Sequence, residues 1–223
     1  MQTWRCLFLL TFVMTLGCIV GDQLTTITIQ PDGSTDVVTW RSNQHSTSTG
    51  DDAVRELAEY KARFEQQNGD EFNHIRRADG EIIQSVWLRE NAPFANVIKA
   101  RLPSAESLEK YFSNPPEDAQ FSMVGTFRQD GLQRKLTIRI HVPADQTGKS
   151  SATSQSVSEL LQESANGISQ TRIAVANGTI IQAKGFIVAS DGQSALLDVS
   201  NILNTLQSEG GNSEFWLLWK INQ

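Results

Sequence analysis

The sequence predicts an α+β fold: a largely antiparallel sheet of hairpins with three or four helices packed on one face. Three observations carry this reading. Several short runs alternate apolar and polar residues with period 2. Amphipathic stretches of helical period lie between them. Turn residues, above all Asn177-Gly178, punctuate the runs.

Ile27 and Ile29 alternate with Thr26 and Thr28, as on a half-buried strand. Residues 30–36, QPDGSTD, read as a turn: Pro31 presets φ and Gly33 takes a conformation other residues avoid. Val38 and Trp40 continue on the return strand. Residues 49–67 predict a helix with Val54, Leu57, Lys61 and Phe64 on one stripe. Asp51 and Asp52 stand at its positive end, and Glu59 faces Arg63 one turn on. Residues 104–112 predict another helix, with Ser104 as N-cap and Leu108 and Phe112 together. Leu136, Ile138, Ile140 and Val142 alternate with Thr137, Arg139 and His141. A small, polar loop over 144–156 follows, then a short helix over 156–164 with Val157, Leu160 and Leu161 apolar. Residues 171–183 are the clearest hairpin, since Asn177-Gly178 suits a type I′ turn whose central residues both need positive φ. A fourth helix is expected over 200–206. A closing strand over 214–221 carries apolar residues on both faces and is expected to be central or covered.

The N-terminus points to export. Arg5 precedes an uncharged apolar run from Leu7 to Met14, too short for a transmembrane helix of about 20 residues. Signal peptidase has two places to cut. One is after Gly21. The other is before Cys18, where Met14-Thr15-Leu16-Gly17-Cys18 resembles the lipobox of bacterial lipoproteins, with Thr15 where leucine is commonest. In that family the cysteine thiol receives a diacylglycerol and the freed amine is acylated. Acyl chains contribute about 0.8 kcal/mol per buried CH₂, enough for stable anchoring when two or three are present. The resemblance implies a signal peptide over 1–17 and a lipidated tether over 18–23; length and composition make the remainder, 24–223, a single α+β domain. Ile19, in place of the aspartate that retains such proteins in the inner membrane, implies the outer membrane where one exists. Of the two cysteines, Cys6 leaves with the signal, so the mature chain has no intramolecular disulfide.

The formal net charge of -6 argues against general nucleic-acid binding, which needs a basic field. Residues 143–150, PADQTGKS, approach a phosphate-binding loop, but Pro143 stands where the pattern needs glycine and removes an N–H. Ser107 and Lys110 have the spacing of penicillin-interacting enzymes without the companion elements, and read as a helical surface on which Glu106 pairs Lys110. His45, His74 and His141 share no metal-ligand spacing, and no metal or cofactor is expected. Asn177-Gly178-Thr179 matches a glycan acceptor, but the turn already explains it.

One pattern stands out from this acidic background. Arg89, Lys99 with Arg101, Lys135 with Arg139, and Arg172 fall on the less apolar faces of predicted strands. Were those strands neighbours, one sheet face would be a basic stripe with Trp40 or Trp87 nearby, suited to anionic headgroups or polyanionic glycans. Ordinary solvation by loop acids is the competing reading.

TITIQPDGSTDV near the mature N-terminus and TRIAVANGTIIQAKGFIVASDGQSALLDVS as late strands are similar to the LppM-type lipoprotein domain. That resemblance implies a glycolipid-associated role at the envelope. The leading expectation is a lipid-anchored envelope domain that binds an amphiphile, glycolipid or envelope partner without catalysis. A protein-interaction or assembly accessory of the envelope is the alternative, and a hydrolase without a recognised motif is the third.

Overall fold

Ile27 and Ile29 lie beside Ile173 and Val175 on two parallel strands far apart in the chain, and all four side chains are buried. The computed structural model describes residues 19–113, 122–141, 169–198, 202 and 212–222. Strands β1 (Ile19–Ile29) and β2 (Thr35–Ser46) come first. Then follow α1 (Gly50–Glu65), α2 (Asp70–Arg77), β3 (Glu81–Arg89), β4 (Phe94–Leu102) and α3 (Ala105–Ser113). After these come β5 (Ser122–Asp130), β6 (Gln133–His141), β7 (Ser169–Val175), β8 (Gly178–Lys184), β9 (Ile187–Val188), β10 (Ser194–Asp198) and β11 (Asn212–Ile221).

The mixed α+β class and the mostly antiparallel pairing hold, but the single sheet becomes two. A seven-stranded sheet A has the order β3-β4-β2-β1-β7-β10-β9, and a four-stranded sheet B the order β5-β6-β11-β8. The β1–β7 pair is parallel. One buried cluster joins both sheets and the helices. Ile27, Ile98 and Ile173 come from sheet A, Phe64, Phe72 and Phe112 from the helices, and Leu136, Phe215 and Trp219 from sheet B. The strand over 214–221 is β11, central as expected between β6 and β8. Its burial alternates: Ser213, Phe215, Leu217 and Trp219 face inward.

Two of the predicted helices are present, as α1 and α3. Ser104 caps α3 as read, its Oγ accepting from the Ser107 amide at 3.2 Å, and Leu108 and Phe112 are buried. In α1 the inward stripe is Tyr60 and Phe64, while Val54 faces solvent. The sequence reading missed α2. Its acids Asp70 and Glu71 open it, Arg76 and Arg77 close it, and Phe72 and Ile75 are buried. At eight residues it is too short to display a periodic stripe. The segments 1–18, including Cys18, 142–168 and most of 200–206 lie outside the described residues. Residues 19–23 of the stretch read as a tether carry strand pairing, with Ile19 opposite Ser46.

The segment 171–183 is not a hairpin. β7 pairs with β1 and β10 in sheet A, whereas β8 pairs with β11 in sheet B, so the chain turns a corner between sheets. Asn177 has a φ of 48°, but Gly178 is not in the left-handed region. Glycine is needed at 178 for room: a Cβ there would lie 3.0 Å from Trp219 Cδ1 and 3.3 Å from the Lys220 carbonyl oxygen. Gly125 permits a similar close approach, of β5 to Phe112 on α3. Gly178→Val should therefore destabilise the fold by about 1–3 kcal/mol, as overpacking does. Gly178→Asn separates the two explanations. A type I′ turn would tolerate asparagine, whereas crowding against Trp219 predicts a loss in urea unfolding with both variants.

Candidate functional site

Sheet A buries one face against the helices and sheet B. The register places the side chains of its other face in rows across the strands. One row runs Val86–Val97–Trp40–Leu24–Gln170 through β3, β4, β2, β1 and β7. Trp40 is 47% exposed and Leu24 39%. Two large apolar side chains thus stand directly opposite each other on a solvated sheet. The next row runs Gln84–Lys99–Val38–Thr26–Arg172–Leu196. Lys99 and Arg172 stand three strands apart, about 14 Å at the usual inter-strand spacing. A third row places Arg101, Asp36 and Thr28 in line.

Four of the basic residues singled out in the sequence therefore occupy this face. Arg89, opposite Ala95, stands at the end of β3 with a weak 3.5 Å contact to the Pro93 carbonyl. Lys99 forms no ion pair among the described residues. Arg172 donates to Ser194 Oγ at 3.0 Å and likewise has no ion pair among them. Arg101 is engaged by Asp36 at 2.9 Å, and Asp36 also accepts from Gln30 at 3.1 Å.

The fifth residue, Arg139, does not join them. It lies on β6 in sheet B and pairs with Glu214 at 2.7 Å. Lys135 is on the same strand, 4.7 Å from the Trp216 ring centre. The stripe is thus split between two sheets, because period-2 alternation identifies a face of each strand but not which strands adjoin. Of the two candidate tryptophans, Trp40 belongs to the basic face. Trp87 faces inward opposite Asn96 and packs against Phe64 at 4.3 Å and Phe94 at 5.2 Å. The reading missed Leu24 and Val97, whose importance appears only once β1 and β4 flank β2.

The opposite face of sheet A has a polar half near the start of β1. Arg41 Nη1 pairs with Glu71 of α2 at 2.9 Å, with their side chains 17% and 15% exposed. Arg41 Nε donates to Gln23 at 3.0 Å, and the hydroxyls of Thr25 and Thr39 meet at 3.3 Å. The Tyr111 ring of α3 packs edge-on against His74 of α2 at 4.4 Å. This arrangement docks α2 on the sheet with its polar groups satisfied. It holds no nucleophile paired with a base. Among the described residues no group of three histidine, cysteine or acidic side chains is placed to hold a metal. No described helix is long and apolar enough to cross a membrane.

No protein-family model matches the chain, and no curated protein matches it. Among solved structures it is similar to the folded domain of LppM from Mycobacterium tuberculosis, determined by NMR. The two share 8% identity and a TM-score of 0.43, over 91% of this chain and 92% of that one.

The Tyr111 site supplies a pH test of the helix–sheet packing. Burial pushes its hydroxyl up from 10.0 to about 12, with the nearby Arg41 charge pulling slightly the other way. The unfolded chain therefore loses this proton first as pH rises. The contribution to stability is intact below the unfolded value near 10.0 and is lost as pH climbs towards about 12. Tyr111→Phe should flatten that alkaline decline in urea unfolding. An equal slope in parent and variant would show that the decline arises elsewhere.

Proposed function

We propose that this chain is a lipid-anchored domain of the bacterial cell envelope whose exposed sheet A face binds an anionic amphiphile surface without catalysis. The observation that carries the reading is the Trp40–Leu24 pair with Lys99 and Arg172 in the adjoining row. An exposed indole beside cations that form no ion pair among the described residues suits the boundary between acyl chains and headgroups, where tryptophan gains from both environments. Lysine and arginine near an anionic surface contribute about 1 kcal/mol each. Arg89 adds a further cation to that face, whereas the charge of Arg101 is held by Asp36.

Anchoring through Cys18 is the second half of the reading. Its support is the lipobox-like run together with the start of β1. Cleavage after Gly21 would remove Ile19 and Val20, which pair with Ser46 and His45. Gly21 itself sits in a bulge against Gln44, whose side-chain amide a Cβ at 21 would strike. A mature chain beginning at residue 18 keeps all of this.

An assembly role is the second reading. The observation in its favour is the pair of exposed residues Ile187 and Val188 on edge strand β9.

The test is co-sedimentation of the unacylated Cys18→Ser chain with anionic and neutral liposomes at low and high salt. Binding to anionic vesicles should exceed binding to neutral ones and fall with salt. Lys99→Ala with Arg172→Ala should weaken it by roughly tenfold or more. Trp40→Ala should weaken it at both salt concentrations, since its contribution is apolar. Equal binding to both vesicle types would overturn the reading, and so would a double variant that binds like the parent.

A further inference from the structure

Two exposed apolar side chains of residues 19–113, Leu88 and Val54, stand near the ends of their elements, at the edge of the fold where β1 begins. Residues 19–113 expose Leu24, Trp40, Val54, Ile83 and Leu88; Leu88 and Val54 are at the end where β1 begins, while Leu24 and Trp40 stand midway along β1 and β2. At that end β2 finishes at Ser46 opposite Ile19, and β4 begins with Phe94 opposite Gln44. Leu88 is the extra residue of a bulge between the pairs Trp87–Asn96 and Arg89–Ala95, close to the start of β4. Its side chain is 55% exposed. Val54 is 67% exposed in the first turns of α1, which Ser46 and Ser48 fasten to this rim by donating to Glu56. Leu24 and Trp40 stand further in, about 17 Å from Ile19 at the usual rise of a strand.

Ile19 is already paired with Ser46, so the described chain begins within the sheet, at this rim. A lipid on Cys18 would be followed directly by paired strand. Its acyl chains would hold this rim, and no other part of the fold, at the bilayer surface.

We propose that this rim is the membrane-docking edge of the domain. Its occupant is the headgroup–acyl boundary of an anionic lipid bilayer. Leu88 and Val54 bed at that boundary, sheet A leans so that Leu24 and Trp40 follow, and Lys99 and Arg172 meet the phosphates one row further on. The β1–β2 turn at Pro31–Gly33 then points away from the membrane. The proposal rests on acylation at Cys18 and specifies what acylation does: it sets an orientation as well as a location.

The experiment uses the full acylated chain, purified from membranes and reconstituted in vesicles of phosphatidylcholine and phosphatidylglycerol. Single cysteines replace Leu88, Val54 or, as the distal control, Asp32, and each carries an environment-sensitive fluorophore. Labels at 88 and 54 should shift to the blue and be protected several-fold from an aqueous quencher relative to the label at 32. A flexible Gly/Ser insert of ten residues between Cys18 and Ile19 should leave the chain on the vesicles and reduce that protection. Intact mass reports acylation separately. An acylated chain whose labels at 54 and 88 are as accessible as that at 32 overturns the docking edge and leaves the anchor standing. An unacylated chain removes the anchor, and the docking edge with it.

Discussion

The parallel pairing of β1 with β7 is the constraint on which the rest of the fold depends. Gln23–Ile29 runs alongside Ser169–Val175, and no short turn can join two parallel strands. Everything between residue 30 and residue 168 is therefore the connection. With β2 on its other side, β1 is an interior strand, and its inward residues Ile27 and Ile29 meet Val37 and Ile173 in the joint core. The flanking pairs, β2 with β4 and β7 with β10, extend the sheet outward from that seam.

Local patterns were legible where the physics is local. Ser104, Leu108 and Phe112 of α3 needed only a cap and a helical period. Pro31 and Gly33 needed only turn chemistry, and Gly33 has a φ of 89° as read. The run over 214–221 announced an interior strand by carrying apolar residues on both faces. What failed was partnership. Asn177-Gly178 is the same dipeptide whether the next strand folds back beside the last or crosses to another sheet. In this chain the glycine answers to Trp219, distant in sequence. Likewise residues 18–23 read as a lipidated tether, and only the opposing Arg41–Ser46 shows Ile19–Gln23 to be sheet.

The candidate site was legible to the same extent. Lys99 and Arg101 share a face by period alone, and so they do. That Arg172 joins them depends on the parallel β1–β7 contact, and that Arg139 does not depends on the existence of a second sheet. The charges themselves carried no sign of their compensation. Asp36 lies on the strand next to Arg101, and Glu214 on the strand next to Arg139, both far away along the chain. Exposure also separated the apolar residues in a way hydrophobicity did not. Val37 and Trp40 belong to one strand, but one is core and the other is surface.

The place of β11 has a consequence for the timing of folding. It is the last strand in the chain order and an interior strand of sheet B, flanked by β6 and β8. Until residues 212–221 are available, β6 and β8 have no common neighbour, and Phe215, Leu217 and Trp219 are missing from the core they share with sheet A. Contacts of such long range form slowly. The core shared by the two sheets therefore closes only once residues 212–221 have joined it.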